Sequence, residues 1–135
     1  MVTWIAAEKM IMLPRSALPQ IPEEEFDNFR NYMNDAGISS QIVRISAKEL
    51  KPIQKHLNKD KIRSIYDEGD FSTPIIISQD MYIMDGHHRW VAGLLKRTKI
   101  TCLQFNCPII KLFELGHLFG GSNVKSVSET TIYTV

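Results

Sequence analysis

The chain has 135 residues, a formal net charge of +1, and 44% hydrophobic and 9% aromatic residues. That balance fits an ordinary soluble globular fold with its own core, and one domain is the expectation at this length. No global charge excess points to nucleic acid or an anionic membrane. No apolar run approaches the roughly 20 residues of a membrane span, and the N-terminus, broken by Glu8 and Lys9, lacks the basic start of a secretory signal.

In chain order, the first clear helix follows Pro22, which suits a first helical turn because its missing N–H costs nothing there. Glu23, Glu24 and Glu25 favour the positive end of the helix dipole. Phe26, Phe29, Tyr32, Met33 and Ala36 make one apolar stripe, and Gly37 closes it. "QIVRI" reads as a strand. Ser46 and Glu49 have the spacing of a capping box, and Pro52 limits any helix there to a turn. "NKDKIRSIYDEG" is a second helix capped by Asn58, with Ile62, Ile65 and Tyr66 inward and Gly69 past its end. "TPIIIS" and "MYIMD" form a hairpin turned by "QD". "HHRWVAGLLKR" is a third helix with Trp90, Val91, Leu94 and Leu95 inward. "KITCLQF" is a further strand, and "PIIKLFEL" a short helix or turn. The Gly-, Ser- and Thr-rich tail ends in "TTIYTV", which has the propensity to dock on a sheet edge.

Charge is unevenly spread. Residues 23–35 carry −4 and residues 48–63 carry +4, the latter from Lys48, Lys51, Lys55, Lys59, Lys61 and Arg63 against Glu49 and Asp60. Each run reads as a solvated helix face, or the basic run as a rim around an anion site. Cys102 and Cys107 have no CxxC partner and no histidine at zinc spacing, so buried free thiols in a reducing, cytoplasmic setting are expected. The succession of elements predicts an α+β fold: a small mixed β-sheet with packed helices.

The chemistry concentrates at "DGHHR", where a strand becomes a helix. A helix start carries unpaired N–H groups and partial positive charge, a ready anion site. Gly86 permits a tight turn and a close approach to a ligand. His87, His88 and Arg89 add donors, and Arg89 can fork onto phosphate oxygens. Structural roles compete residue by residue: Asp85 as helix cap, an Asp85–Arg89 surface pair, one histidine filling a polar gap. An acid beside a phosphate must cap the helix, hold a metal, or face a second substrate.

Three stretches, "ELKPIQ" (49–54), "TPIIIS" (73–78) and "YIMDGHHRWVAGLLKRTKITCLQF" (82–105), resemble the ParB/sulfiredoxin superfamily in motif and order. The resemblance implies a ParB/sulfiredoxin-like core over 42–107, preceded by an N-terminal helical extension (1–41) and followed by a C-terminal helix and tail (108–135). The sulfiredoxin cysteine falls at His87, which argues against sulfinic-acid reduction. The helix-turn-helix domain of partition proteins has no counterpart, which argues against centromere-type DNA binding. The DGHxR turn is closer to the free-serine-kinase branch and to single-domain members labelled nucleases.

What the resemblance implies is nucleotide phosphate, ATP or ADP with Mg²⁺, held by Gly86, His87, His88 and Arg89. Asp85 would hold Mg²⁺ or orient the acceptor hydroxyl, and Gln54, near the L-x-P motif, or Glu49, before it, stands where that branch has its base. The catalytic candidates are Asp85, His87, His88 and Glu49. The leading expectation is a phosphotransferase or ATPase acting on a small-molecule or nucleic-acid acceptor. The alternatives are a metal-dependent nuclease with histidine as base, and a non-catalytic nucleotide-sensing adaptor.

Overall fold

Ile75–Ile77 forms a strand, β4, whose three isoleucines are at most 1% exposed. Burying each such side chain contributes about 1.5–3 kcal/mol, and β4 lies inside a four-stranded mixed sheet. In this computed structural model residues 18–54, 56–120, 123–124 and 133–134 are described. The flanking strands of the sheet are β2 (Ser40–Ser46), β5 (Ile83–Asp85) and β6 (Lys99–Phe105), in the order β2-β6-β4-β5. β2 and β6 pair antiparallel along their whole length, from Ser40 opposite Phe105 to Ser46 opposite Lys99. β4 runs parallel to β6 and antiparallel to β5. The expected α+β class and small mixed sheet are therefore the observed ones.

Two short ladders lie outside that sheet: β1 (Pro19–Gln20) with β7 (Asn123–Val124), and β3 (His56–Leu57) with β8 (Tyr133–Thr134). The end of "TTIYTV" thus pairs with a strand, though not with the main sheet.

Each face of the sheet has its own cluster. Trp90 and Val91 from α3 (His87–Lys96) and Ile62 from α2 (Lys59–Glu68) pack with Ile75, Ile77, Ile83, Ile100 and Cys102 on one side. Phe29 and Met33 from α1 (Phe26–Asp35) and Leu112 from α4 (Ile109–Leu118) pack with Ile76, Met84, Leu103 and Phe105 on the other. α1, the described helix of the expected 1–41 extension, thus packs on the sheet. Residues 1–17, the rest of that expected extension, lie outside the described residues.

Local signals explain the helix ends. Asn58 caps α2 by accepting from the N–H groups of Asp60 and Lys61 at 2.9 and 3.1 Å, and Gly69 ends it at φ 69°. Several expectations need correction. Ser46 makes no side-chain cap bond, so the 46–49 capping box does not form; a single 3₁₀ turn, Ala47–Glu49, stands there. Tyr66 and Leu95 are 39% and 53% exposed, facing away from the core. α4 is a full ten-residue helix, and Glu23–Glu25 is a 3₁₀ turn leading into α1.

Cys102 and Cys107 are buried free thiols, as expected. Burial pushes the Cys102 thiol up to about 12. Cys107 is also raised, by burial first and Asp80 second, against an opposing pull from Lys111. Because only the thiolate reacts, Cys102 is expected to resist alkylation at pH 8 in the native protein and to react on denaturation. Iodoacetamide labelling read by mass spectrometry checks this. The linked stability change has a definite sign: the folded state holds this proton more tightly than the unfolded one. Its contribution is complete below the thiol's ordinary value near 9 and is lost as pH rises to about 12.

Candidate functional site

β5 ends at Asp85, Gly86 turns the chain at φ 106°, and α3 begins at His87. The residue at the cap position is Gly86, which has no side chain to cap with. The corner borders a cleft of about 450 Å³ lined by Gly86, His87, His88 and Arg89, by Asp85, by Gln54, by Lys61 and Ile65 of α2, and by Gln20, Ile21, Pro22 and Glu24. That size is within the usual range for small-molecule sites. Three stretches distant in sequence thus converge on the corner.

Asp85 is the last residue of β5. Its Oδ2 accepts the N–H of Ile21 at 2.9 Å, tying the segment before α1 to the end of β5. This role lies outside the three options the sequence offered, because its partner is 64 positions away. Gly86 does make the tight turn, but the group it closely approaches is a side chain: a Cβ there would lie 2.4 Å from Ile75 Cγ2.

The two histidines line the cleft and also reach a neighbouring segment of the chain. His87 is 1% and His88 8% exposed. His87 Nε2 accepts the N–H groups of Ile53 and Gln54 at 3.0 and 3.2 Å. His88 Nε2 accepts the N–H of Asn58 at 2.9 Å. A ring nitrogen that accepts an N–H carries no proton of its own, so neither Nε2 can donate to a phosphate in this state. What both residues bring to the cleft unconditionally is backbone at the helix start.

Arg89 Nη1 donates to the carbonyls of Thr73 and Pro74 at 3.2 and 3.1 Å, just before β4. Burial lowers its pKa from the ordinary value, opposed by Asp85, then Glu23 and Asp70. A guanidinium nonetheless stays cationic in proteins, and Arg89 is among the residues lining the cleft.

Glu49 is exposed on the Ala47–Glu49 turn and is not among the residues lining the cleft. Gln54 does line it and is 2% exposed. Lys61 and Glu24 were not singled out as site residues. Lys61 had a signal in the basic run over 48–63. Glu24 had only its place in an acidic run, which dipole compensation already explained. No group of three His, Cys, Asp or Glu residues arranged to hold a metal occurs among the described residues. A Mg²⁺ carried by phosphates needs only one or two protein carboxylates, and Asp85 and Glu24 are the ones lining the cleft. No described helix is long and apolar enough to cross a membrane.

Fold and site together define the chain as an α+β protein with a polar cleft where a Gly turn starts a helix. Among solved structures it is similar to one described as the C2221 form of a Pnob8-like ParB-N domain, with 14% identity and a TM-score of 0.48. The match covers 59% of this chain and 35% of that chain, so it spans about a third of the longer protein. No family model matches the chain, and no curated protein matches it.

Proposed function

We propose that the cleft binds nucleotide phosphate, ATP or ADP with Mg²⁺, and that the protein is a phosphotransferase or ATPase. The observation that carries this reading is convergence. The start of α3 at the Gly86 turn, the Arg89 guanidinium and Lys61 meet two carboxylates, Asp85 and Glu24, in one cleft. Phosphoryl transfer asks a protein chiefly for positioning and charge neutralisation. The amides of the 86–89 turn and the two cations would hold the phosphates. Asp85 would hold Mg²⁺ or orient an acceptor hydroxyl, and Glu24 is better placed than Glu49 to act as base.

A non-catalytic sensing module is the second reading, favoured by the exposure of Glu49 away from the cleft. The nuclease reading has less support, since the Nε2 atoms of both histidines are engaged by backbone N–H groups. Thermal-shift and calorimetric titration with ATP, ADP, CTP and GTP, each with and without Mg²⁺, test the proposal. Absence of binding to all four would sink it.

Asp85→Asn separates catalysis from sensing. Asparagine keeps an oxygen for the Ile21 N–H, so the fold should hold while the charge is lost. If Asp85 serves the metal or acceptor, turnover falls at least about tenfold, or about 1.4 kcal/mol in the barrier, and metal-free nucleotide binding is unchanged or tighter. Full turnover in this variant would remove Asp85 from the mechanism.

A further inference from the structure

We propose that His87 and His88 are positioning residues that fix Gln54 and Lys61 against the phosphate corner. The assignment rests on the nucleotide-phosphate reading of the cleft and explains why two histidines stand side by side. Adjacent helical side chains point about 100° apart, so the two rings reach different parts of the same crossing segment. His87 takes the N–H groups of Ile53 and Gln54, and Gln54 lines the cleft. His88 takes the N–H of Asn58. Asn58 in turn accepts from the Asp60 and Lys61 amides, so it sets where α2 begins, and Lys61 lines the cleft one turn in.

Among the described residues of 53–58, regular structure is limited to a bridge at Gln54 and the two-residue strand β3. A buried N–H without a partner is unfavourable. Two imidazole acceptors at the phosphate corner therefore register this segment directly against the amides that would bind phosphate. A lysine or arginine at either position could not do this, having no acceptor. Glutamine could, since its carbonyl reaches about as far as Nε2.

The test uses the full chain with three readouts. In ¹⁵N spectra of the wild-type protein at neutral pH, both Nε2 atoms should be the unprotonated nitrogens; a proton on either one overturns the assignment. Amide hydrogen exchange comes next. His87→Leu should speed exchange at Ile53 and Gln54, and His88→Leu at Asn58, Asp60 and Lys61, by tenfold or more, with Leu103 in β6 unchanged. His87→Gln and His88→Gln should restore protection. An increase that is equal at Leu103 means a merely structural role and overturns the proposal, as does no change at 53, 54 and 58. Should the leucine variants not fold, the ¹⁵N spectra and the glutamine variants still decide it.

The third readout is a double-mutant cycle on ATP affinity. Lys61→Ala should weaken ATP binding about tenfold in the wild-type background and by less than about twofold beside His88→Leu, because that lysine is then no longer held in place. Additive effects overturn the positioning role. A wild-type chain that binds no nucleotide takes down the phosphate reading, while the spectra and the exchange pattern still decide whether the histidines hold the segment.

Discussion

Replacing Gly86 with alanine is expected to lower the melting temperature by roughly 10 °C or more. Two independent costs add. The backbone there has φ 106° and ψ 23°, where an L side chain is strained by about 1–2 kcal/mol. The new Cβ would also lie 2.4 Å from Ile75 Cγ2 and 2.7 Å from Ile75 Cβ. Ile75 is 1% exposed on an interior strand, paired with Cys102 of β6, and cannot retreat. Overpacking of this kind typically costs about 1–3 kcal/mol. The total is about 3 kcal/mol, a large fraction of the stability of an ordinary domain. Thermal unfolding followed by circular dichroism measures it. In an Ile75→Ala background the added cost of alanine should be smaller, because the worst contact is gone and only the backbone strain and the Cβ contact remain. A Gly86→Ala protein melting within about 2 °C of wild type would show that the turn does not have this geometry.

Arg89→Ala should damage both stability and ligand binding, by separable amounts. Truncation strips the Thr73 and Pro74 carbonyls of their donor at the entry to β4. Leaving part-buried acceptors unsatisfied costs about 1–3 kcal/mol. It also removes a cation from the cleft. Losing a charge-assisted contact to phosphate weakens nucleotide affinity by about 1.5–3 kcal/mol, roughly 10- to 150-fold. Chemical denaturation gives the first effect, and calorimetric titration on the folded variant gives the second. Arg89→Lys is the control: it restores charge without the planar fork, so it should recover only part of each loss. Unchanged nucleotide affinity in Arg89→Ala would leave this guanidinium with the Thr73 and Pro74 carbonyls alone. The sequence pointed to the ligand side of this residue and to a surface pair with Asp85, not to the Thr73 and Pro74 carbonyls, which lie 16 and 15 positions earlier.

Much of the secondary structure was legible in local sequence because its causes are local. Asn58 and Gly69 mark the ends of α2 by side-chain capping and by φ freedom, properties of single residues. The β-branched run over 75–77 and the alternation over 99–105 favour strands wherever they pack. The corner at 85–89 was also legible as a strand end, a Gly turn and a helix start.

Which way the side chains at that corner turn was not legible, and the reason is physical. Hydrogen-bond partners are chosen among all groups that folding brings near, and those of Asp85, His87 and His88 lie 64, 33–34 and 30 positions away. Residue type gave each of them the capacity to bond, not the partner. The same holds for burial. Tyr66 and Leu95 fit the apolar periodicity of their helices, yet they face solvent because the sheet and the partner helix already fill the inner stripe with Ile62, Trp90 and Val91. The sequence by itself determined the elements, their caps and the anion-ready turn. Only the tertiary structure decided that two histidines face a neighbouring segment, that an acid tethers Ile21, and that Lys61 and Glu24 come to the cleft, since those positions are set by packing between parts of the chain that no local pattern links.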